Sequence, residues 1–170
     1  MSEPINSGFD DLWLANEEYV KNFKYSELTG RAARGLAIVT CMDSRINPLS
    51  VVGMKSGDAK ILRNAGARVT QDVLRTLVLA TYLLGVDRIL VMPHTDCRMA
   101  QEDEEVIHAM IEEKHGVDTR SLEFNTVVDQ RAALSQDLAR IRAFPLIPKN
   151  VIVSGGIYHV GTGKIEPVEN

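Results

Sequence analysis

Cysteine is scarce in this chain: two residues in 170, Cys41 and Cys97. That excludes a disulfide scaffold, and a domain of this length buries well over half of its unfolded surface without one. Long apolar runs are missing too. None approaches the roughly 18 residues a membrane span needs. Charge of one sign is not in excess either, since 19 basic against 23 acidic residues leave a net charge of −4. That argues against a nucleic-acid-coating or polybasic membrane protein, while leaving room for a small local anion site. The start, Met1-Ser2-Glu3-Pro4, lacks the basic-then-apolar pattern of a signal peptide, so a cytoplasmic location is expected. No repeat or low-complexity tract stands out. No Gly-x-Gly-x-x-Gly follows the first strand, which disfavours a dinucleotide fold. The stretch GIYHVGTGK at 156–164 lacks the Gly-Lys-Ser/Thr ending of a phosphate loop, because Ile165 follows Lys164. A single domain, 1–170, remains as the expected organisation.

Patterning then supplies the elements. Residues 9–24 carry Leu12, Leu14, Tyr19, Val20 and Phe23 between charges, as an amphipathic helix does. A polar stretch follows, so 1–34 read as a helical arm and linker. From Gly35 the period changes. Short apolar runs at 36–40, 60–62, 88–92 and 151–153 suit buried strands. Helices are expected at 71–84, capped by Thr70 and Gly85, at 102–115 and at 126–142. Gly156 to Val168, turning at Thr162-Gly163, reads as a final hairpin. Strands alternating with helices predict an α/β fold. Its mostly parallel central sheet has about four strands plus a C-terminal antiparallel strand, with helices on both faces. Sites in such folds gather beyond the carboxyl ends of the strands.

Both cysteines fall at such ends. The first strand runs into Cys41-Met42-Asp43-Ser44-Arg45, the third into His94-Thr95-Asp96-Cys97. Two thiolates and an imidazole are good zinc donors, and His-x-x-Cys brings two of them to one point in a short turn. A structural zinc usually closes with four such ligands. Three leave a fourth position for water, the arrangement of a catalytic zinc, whose bound water ionises near pH 7. Asp43 has two readings. It accepts a hydrogen bond from zinc-bound hydroxide, or it binds as a fourth ligand and closes the site. Arg45 can hold its carboxylate ionised and fix its direction. Each residue taken alone has a blander reading: Cys41 and His94 as core, Asp43-Arg45 as a surface ion pair.

Cys-x-Asp-x-Arg after strand one with His-x-x-Cys after strand three resembles the beta-class carbonic anhydrases. The likeness spans roughly residues 36–165 and includes Arg63-Asn64-Ala65-Gly66. It implies zinc held by Cys41, His94 and Cys97, with Asp43 and Arg45 as a catalytic dyad. It implies reversible hydration of CO2 to bicarbonate and a proton by attack of zinc-bound hydroxide. Gly66 would lie beside the substrate pocket, and the N-terminal helix would embrace a second copy in a homodimer or higher oligomer. Hydrolysis of carbon disulfide or carbonyl sulfide on the same site is the alternative, and a non-enzymatic zinc-binding protein is a further one. The family commonly has Gly after the second cysteine; here Arg98 stands there, facing solvent, pairing with Asp96 or an acid of 102–105, or altering the entrance. Ile38 replaces the Trp that helps some members bind a noncatalytic bicarbonate, so that regulation is not expected.

The other candidates have plainer readings. His108 and His115 suit a solvated helix face better than a proton shuttle, and Glu102–Glu105 an acid-rich helix start better than a metal site. His159 reads as a surface or packing residue, and Trp13 as an anchor in a core or subunit contact.

Overall fold

The computed structural model describes residues 8–168. The Met1–Pro4 start lies outside them. The chain runs α1 (Asp10–Lys21), β1 (Leu36–Cys41), α2 (Pro48–Val51), β2 (Ala59–Asn64), α3 (Gln71–Leu83), β3 (Arg88–Met92), α4 (Glu104–His115), α5 (Gln130–Ala143), β4 (Ile152–Tyr158) and β5 (Ile165–Val168). The sheet order is β2-β1-β3-β4-β5. The first four strands pair in parallel and β5 pairs antiparallel to β4. The expected α/β architecture is present. Among the described residues no helix is long and apolar enough to cross a membrane.

β1 lies inside the sheet, and all six of its residues are buried. Successive side chains point to opposite faces. Ala37 and Val39 join the main core with Val73, Leu74 and Leu77 of α3 and Leu134, Leu138 and Ile141 of α5. Leu36 and Ile38 face the other way, onto Ile46, Val51, Val52 and Met54, so α2 and its flanking turns cover that face. The hydroxyl of Thr40 is satisfied inside the sheet by donating to the Met92 carbonyl at 2.7 Å.

The helix limits follow capping chemistry. Thr70 Oγ1 accepts from the Val73 amide before α3, and Gly85 lies just beyond it at φ 77°. α4 opens on Glu104 and Glu105 and ends on Lys114 and His115, signs that suit its dipole. α5 begins four residues later than expected. The Asp129 carboxylate takes the Arg131 and Ala132 amides at 2.9 and 3.1 Å and sets the start there.

One expectation is corrected. The fourth strand and the first arm of the hairpin are a single strand, β4. Its beginning pairs with β3 and its end with β5. Gly155 and Gly156, within this strand, serve close packing. A Cβ on Gly155 would stand 2.9 Å from Leu134 and Leu138 methyls, and one on Gly156 would stand 2.6 Å from Ile165.

α1 buries none of its residues in its own chain. Leu12, Trp13, Leu14, Tyr19, Val20 and Phe23 are all exposed.

Candidate metal centre

Strand register assembles the site. Cys41 ends β1 opposite Asn64 of β2, and Thr40 pairs with Met92 of β3. The carboxyl ends of three neighbouring strands therefore deliver Cys41, the Asn64–Gly66 turn and the His94–Cys97 turn to one place. Cys41, His94 and Cys97 are buried, and their ligand atoms lie within 4.8 Å of one another. Both thiols are free, with the sulfurs 3.9 Å apart.

His94 is aimed by its surroundings. Its Nδ1 bonds the Thr95 carbonyl at 2.8 Å, which leaves Nε2 toward the sulfurs. Gln130 donates to the His94 carbonyl at 2.6 Å, and the Thr95 amide donates to the Tyr158 carbonyl at 2.9 Å. Among the described residues His94 Nε2 is the one buried side-chain nitrogen or oxygen without a hydrogen-bond partner. A buried polar atom left so is costly unless something satisfies it. Two thiolates and one imidazole nitrogen converging on that point make a set that fits a metal ion of borderline softness.

The electrostatics agree. The hydrogen bond with Cys97 pulls the Cys41 thiol toward the thiolate; burial opposes it, and His94 and the Gly66 amide, 3.4 Å from the sulfur, reinforce it. Cys97 is pushed up by the same contact and by burial. Burial pulls His94 down, but the Cys41 sulfur and the Thr95 carbonyl outweigh it. A metal held by both sulfurs would take them as thiolates.

Asp43 stands beside the cluster and faces Arg45. Arg45 donates from Nη2 to Oδ2 at 2.7 Å and from Nε to Oδ1 at 3.0 Å, and its backbone amide adds 2.8 Å to Oδ1. Those bonds hold the Asp43 carboxyl well below the usual carboxylate range. Arg45 also donates to Oδ2 and the carbonyl of Asp96. Asp43 Oδ2 is 3.7 Å from His94 Nε2. Cys41, Asp43, Arg45, Ala65, His94, Cys97, Arg98 and Met99 share a cleft of about 500 Å3.

Gly66 meets the site from behind, through its amide on Cys41. It sits at φ 79°, and a Cβ there would come 3.2 Å from the Met99 Cβ. Ala65, rather than Gly66, lines the open cleft.

Arg63 and Asn64, noted only as part of the Arg63-Asn64-Ala65-Gly66 segment, and Arg68 and Asp137, which carried no sequence signal, support the site. Arg63 donates to the carbonyls of Cys41, Asp43 and Ile46 at 2.8, 2.5 and 3.2 Å, clamping the loop that bears Asp43. Asn64 clasps the Arg68 backbone through both side-chain atoms, and Arg68 is held by the buried Asp137 at 2.8 Å. These arginines reach main-chain carbonyls or a carboxylate far along the chain, contacts that no local spacing announces.

The remaining candidates lie elsewhere. His108 is buried rather than solvated; it bonds Thr119 Oγ1 at 2.8 Å and stacks 5.0 Å from the Phe124 ring. His115 is exposed at the end of α4. His159 pairs with Glu166 across the hairpin. Glu104 accepts the Phe124 amide, and Trp13 is exposed on α1. Arg98 meets Gln101 and Glu102 rather than Asp96. It begins a short 3-10 turn, and the left-handed residue of this loop is Asp96, at φ 54°. A side chain at 98 therefore costs no backbone strain.

Comparison with known proteins gives a consistent result. A family model described as carbonic anhydrase matches residues 36–165. Beta-carbonic anhydrase 1 of Mycobacterium tuberculosis is 34% identical over 160 residues, covering 94% of this chain and 96% of that one. A carbon disulfide hydrolase of Saccharolobus solfataricus is 32% identical, over 78% of this chain and 76% of its own. The crystal structure of a carbonic anhydrase from Streptococcus mutans superposes with a TM-score of 0.89 at 38% identity, over 97% of this chain and 99% of that one. The likeness runs through the strands that build the Cys41–His94–Cys97 cluster, and the chain belongs to the beta-carbonic anhydrase family.

Proposed function

We propose that the chain catalyses the reversible hydration of CO2 to bicarbonate and a proton. The observation that carries this reading is the three-donor cluster with Asp43 turned onto Arg45, leaving one side of the cluster to the cleft. The resident metal in this reading is zinc, held by Cys41 Sγ, His94 Nε2 and Cys97 Sγ. Two zinc–sulfur bonds of about 2.3 Å at a tetrahedral angle place the sulfurs roughly 3.8 Å apart. The 3.9 Å separation matches that span. When bound, zinc supplies a Lewis acid that lets water ionise near neutral pH.

The protein's own part is orientation. Asp43, ionised and unable to donate, accepts a hydrogen bond from the nucleophilic water and aims its lone pair at the substrate carbon. Arg45 would keep Asp43 in that direction, its carboxylate held by the guanidinium. Gly66, with no Cβ, lets Met99 close over Cys41 and bound the space for a small linear substrate. The proton released leaves to solvent or buffer. Stopped-flow CO2 hydration by zinc-loaded protein tests the reading. Turnover well above the buffer rate at alkaline pH is expected, and a rate equal to buffer would reject it.

Hydrolysis of carbon disulfide or carbonyl sulfide is the second reading, favoured by the 32% identity to a carbon disulfide hydrolase. Sulfide release from either gas separates the two.

The uncovered apolar side chains of α1 support a homodimer or higher oligomer, with α1 laid on the second copy. Light scattering should then give at least twice the 18.8 kDa chain mass; a monomer at micromolar concentration would count against it. The two unlinked thiols suit a reducing, cytoplasmic compartment.

A further inference from the structure

Arg98 stands at the border of two spaces. It lines the metal cleft with Cys41, Asp43, His94 and Cys97, and it also lines a neighbouring apolar pocket of about 440 Å3 with Ile107, Met110 and Phe124. Its side chain is exposed, yet it is directed. Nη1 donates to Gln101 Oε1 at 3.1 Å, and Nη2 rests 3.8 Å from Met110 Sδ. Gln101 in turn donates to Asp96 Oδ1 at 3.2 Å, and Asp96 accepts from Arg45. A hydrogen-bonded chain thus links Arg98 to the residue that orients Asp43.

The charges around the cleft are unequally committed. Arg45 is forked onto Asp43 and bound to Asp96. Arg63 is spent on three carbonyls, and Arg68 on Asp137. Arg98 has a neutral amide oxygen and a thioether at contact distance. Its nearest carboxylate, Glu102, is 3.9 Å away, beyond hydrogen-bond range. A guanidinium carries five N–H donors, and most of these stay available here. Of the two arginines that line the cleft, Arg45 and Arg98, Arg98 is the one without a hydrogen-bonded carboxylate, and it lies next in sequence to Cys97.

We propose that Arg98 is an anion-capturing residue of this site, acting on bicarbonate and other small monoanions and leaving neutral gases untouched. The identification of bicarbonate rests on the proposed CO2 chemistry; the capture of monoanions does not. A fixed cation at the mouth attracts an anion through the local field and offers it hydrogen bonds. CO2 has no net charge, so its capture gains nothing from that field. Gln101 and Met110 hold the guanidinium in place without cancelling it.

The test compares wild type, Arg98→Gln and Arg98→Lys as full-length, cobalt-substituted protein. Azide is titrated against the visible cobalt spectrum, which needs no turnover. Loss of one nearby charge should raise the azide Kd about three- to tenfold, weaken its dependence on salt, and leave Arg98→Lys close to wild type. With the zinc enzyme, the inhibition constant of bicarbonate should rise by a similar factor while the KM for CO2 stays within about twofold. Glu102→Gln, which removes the competing carboxylate, should move azide affinity the other way. Equal azide affinity in wild type and Arg98→Gln, or no response to Glu102→Gln, would overturn the proposal even if CO2 turnover is normal. A loss of azide affinity in Arg98→Gln, in a protein that hydrates no CO2, would uphold anion capture and reject the proposed reaction.

Discussion

Cys41→Ala protein is expected to contain almost no metal, to lose at least about a thousandfold in CO2 hydration, and to melt lower than the loaded wild type. Ligand count sets the metal content. Three protein donors converge here, and two donors hold a divalent ion far more weakly than three. Binding that occurs only in the folded state adds directly to folding stability. A site loaded at a thousand times its Kd contributes about 4.1 kcal/mol. In a chain of this size each kcal/mol moves the midpoint by about 2–4 °C, so the loss should be about 8–16 °C. Packing alone predicts much less, because the change removes only one sulfur from a residue already small. Chelator separates the two causes. It should bring wild type down close to Cys41→Ala and leave the variant unmoved. Elemental analysis gives the metal content and differential scanning calorimetry the midpoints. A Cys41→Ala protein with one metal per chain would sink the three-ligand site.

The same donors show what could be read before folding and what could not. Cys41, His94 and Cys97 were legible because strands announce themselves locally. Apolar runs ended at both motifs, and parallel sheets gather their sites at carboxyl ends. Thr70 and Gly85 bounded α3 for a similar reason, since caps are local chemistry. Asp129 gave an equally local signal for α5, but the preceding residues blurred it. α2 has four residues, too few for a period, although Asn47 and Pro48 mark its start. The apolar run at 151–153 ends where Ser154, Gly155 and Gly156 continue the strand, because glycine also serves close approach and the sequence pattern does not show which use it has. The strand order and the clamps from Arg63 and Gln130 depend on long-range pairing, so they appear only in three dimensions.

Asp43→Ala should do the opposite of Cys41→Ala on metal content and resemble it on turnover. Asp43 is outside the three-donor cluster, and its oxygens are taken by Arg45, so the variant should keep a full complement of metal. Its place beside His94 Nε2 puts it next to the open face, where it can orient a nucleophile. Groups that position or accept a proton in this way contribute about 10²–10⁴-fold, and a kcat loss in that range is expected. Asp43→Asn should be nearly as impaired, since an amide turned to the nucleophile can present donors where the carboxylate only accepts. The Arg45 fork keeps the carboxyl well below the usual range, so it stays ionised from pH 6 to 9. The deficit should therefore be constant across that interval rather than growing toward one end. Metal analysis and stopped-flow rates on the same samples distinguish the outcomes. Full metal with little turnover identifies an orienting residue. Metal lost with turnover would make Asp43 a ligand, and full activity would leave the Asp43–Arg45 pair as a surface ion pair that happens to border the cleft.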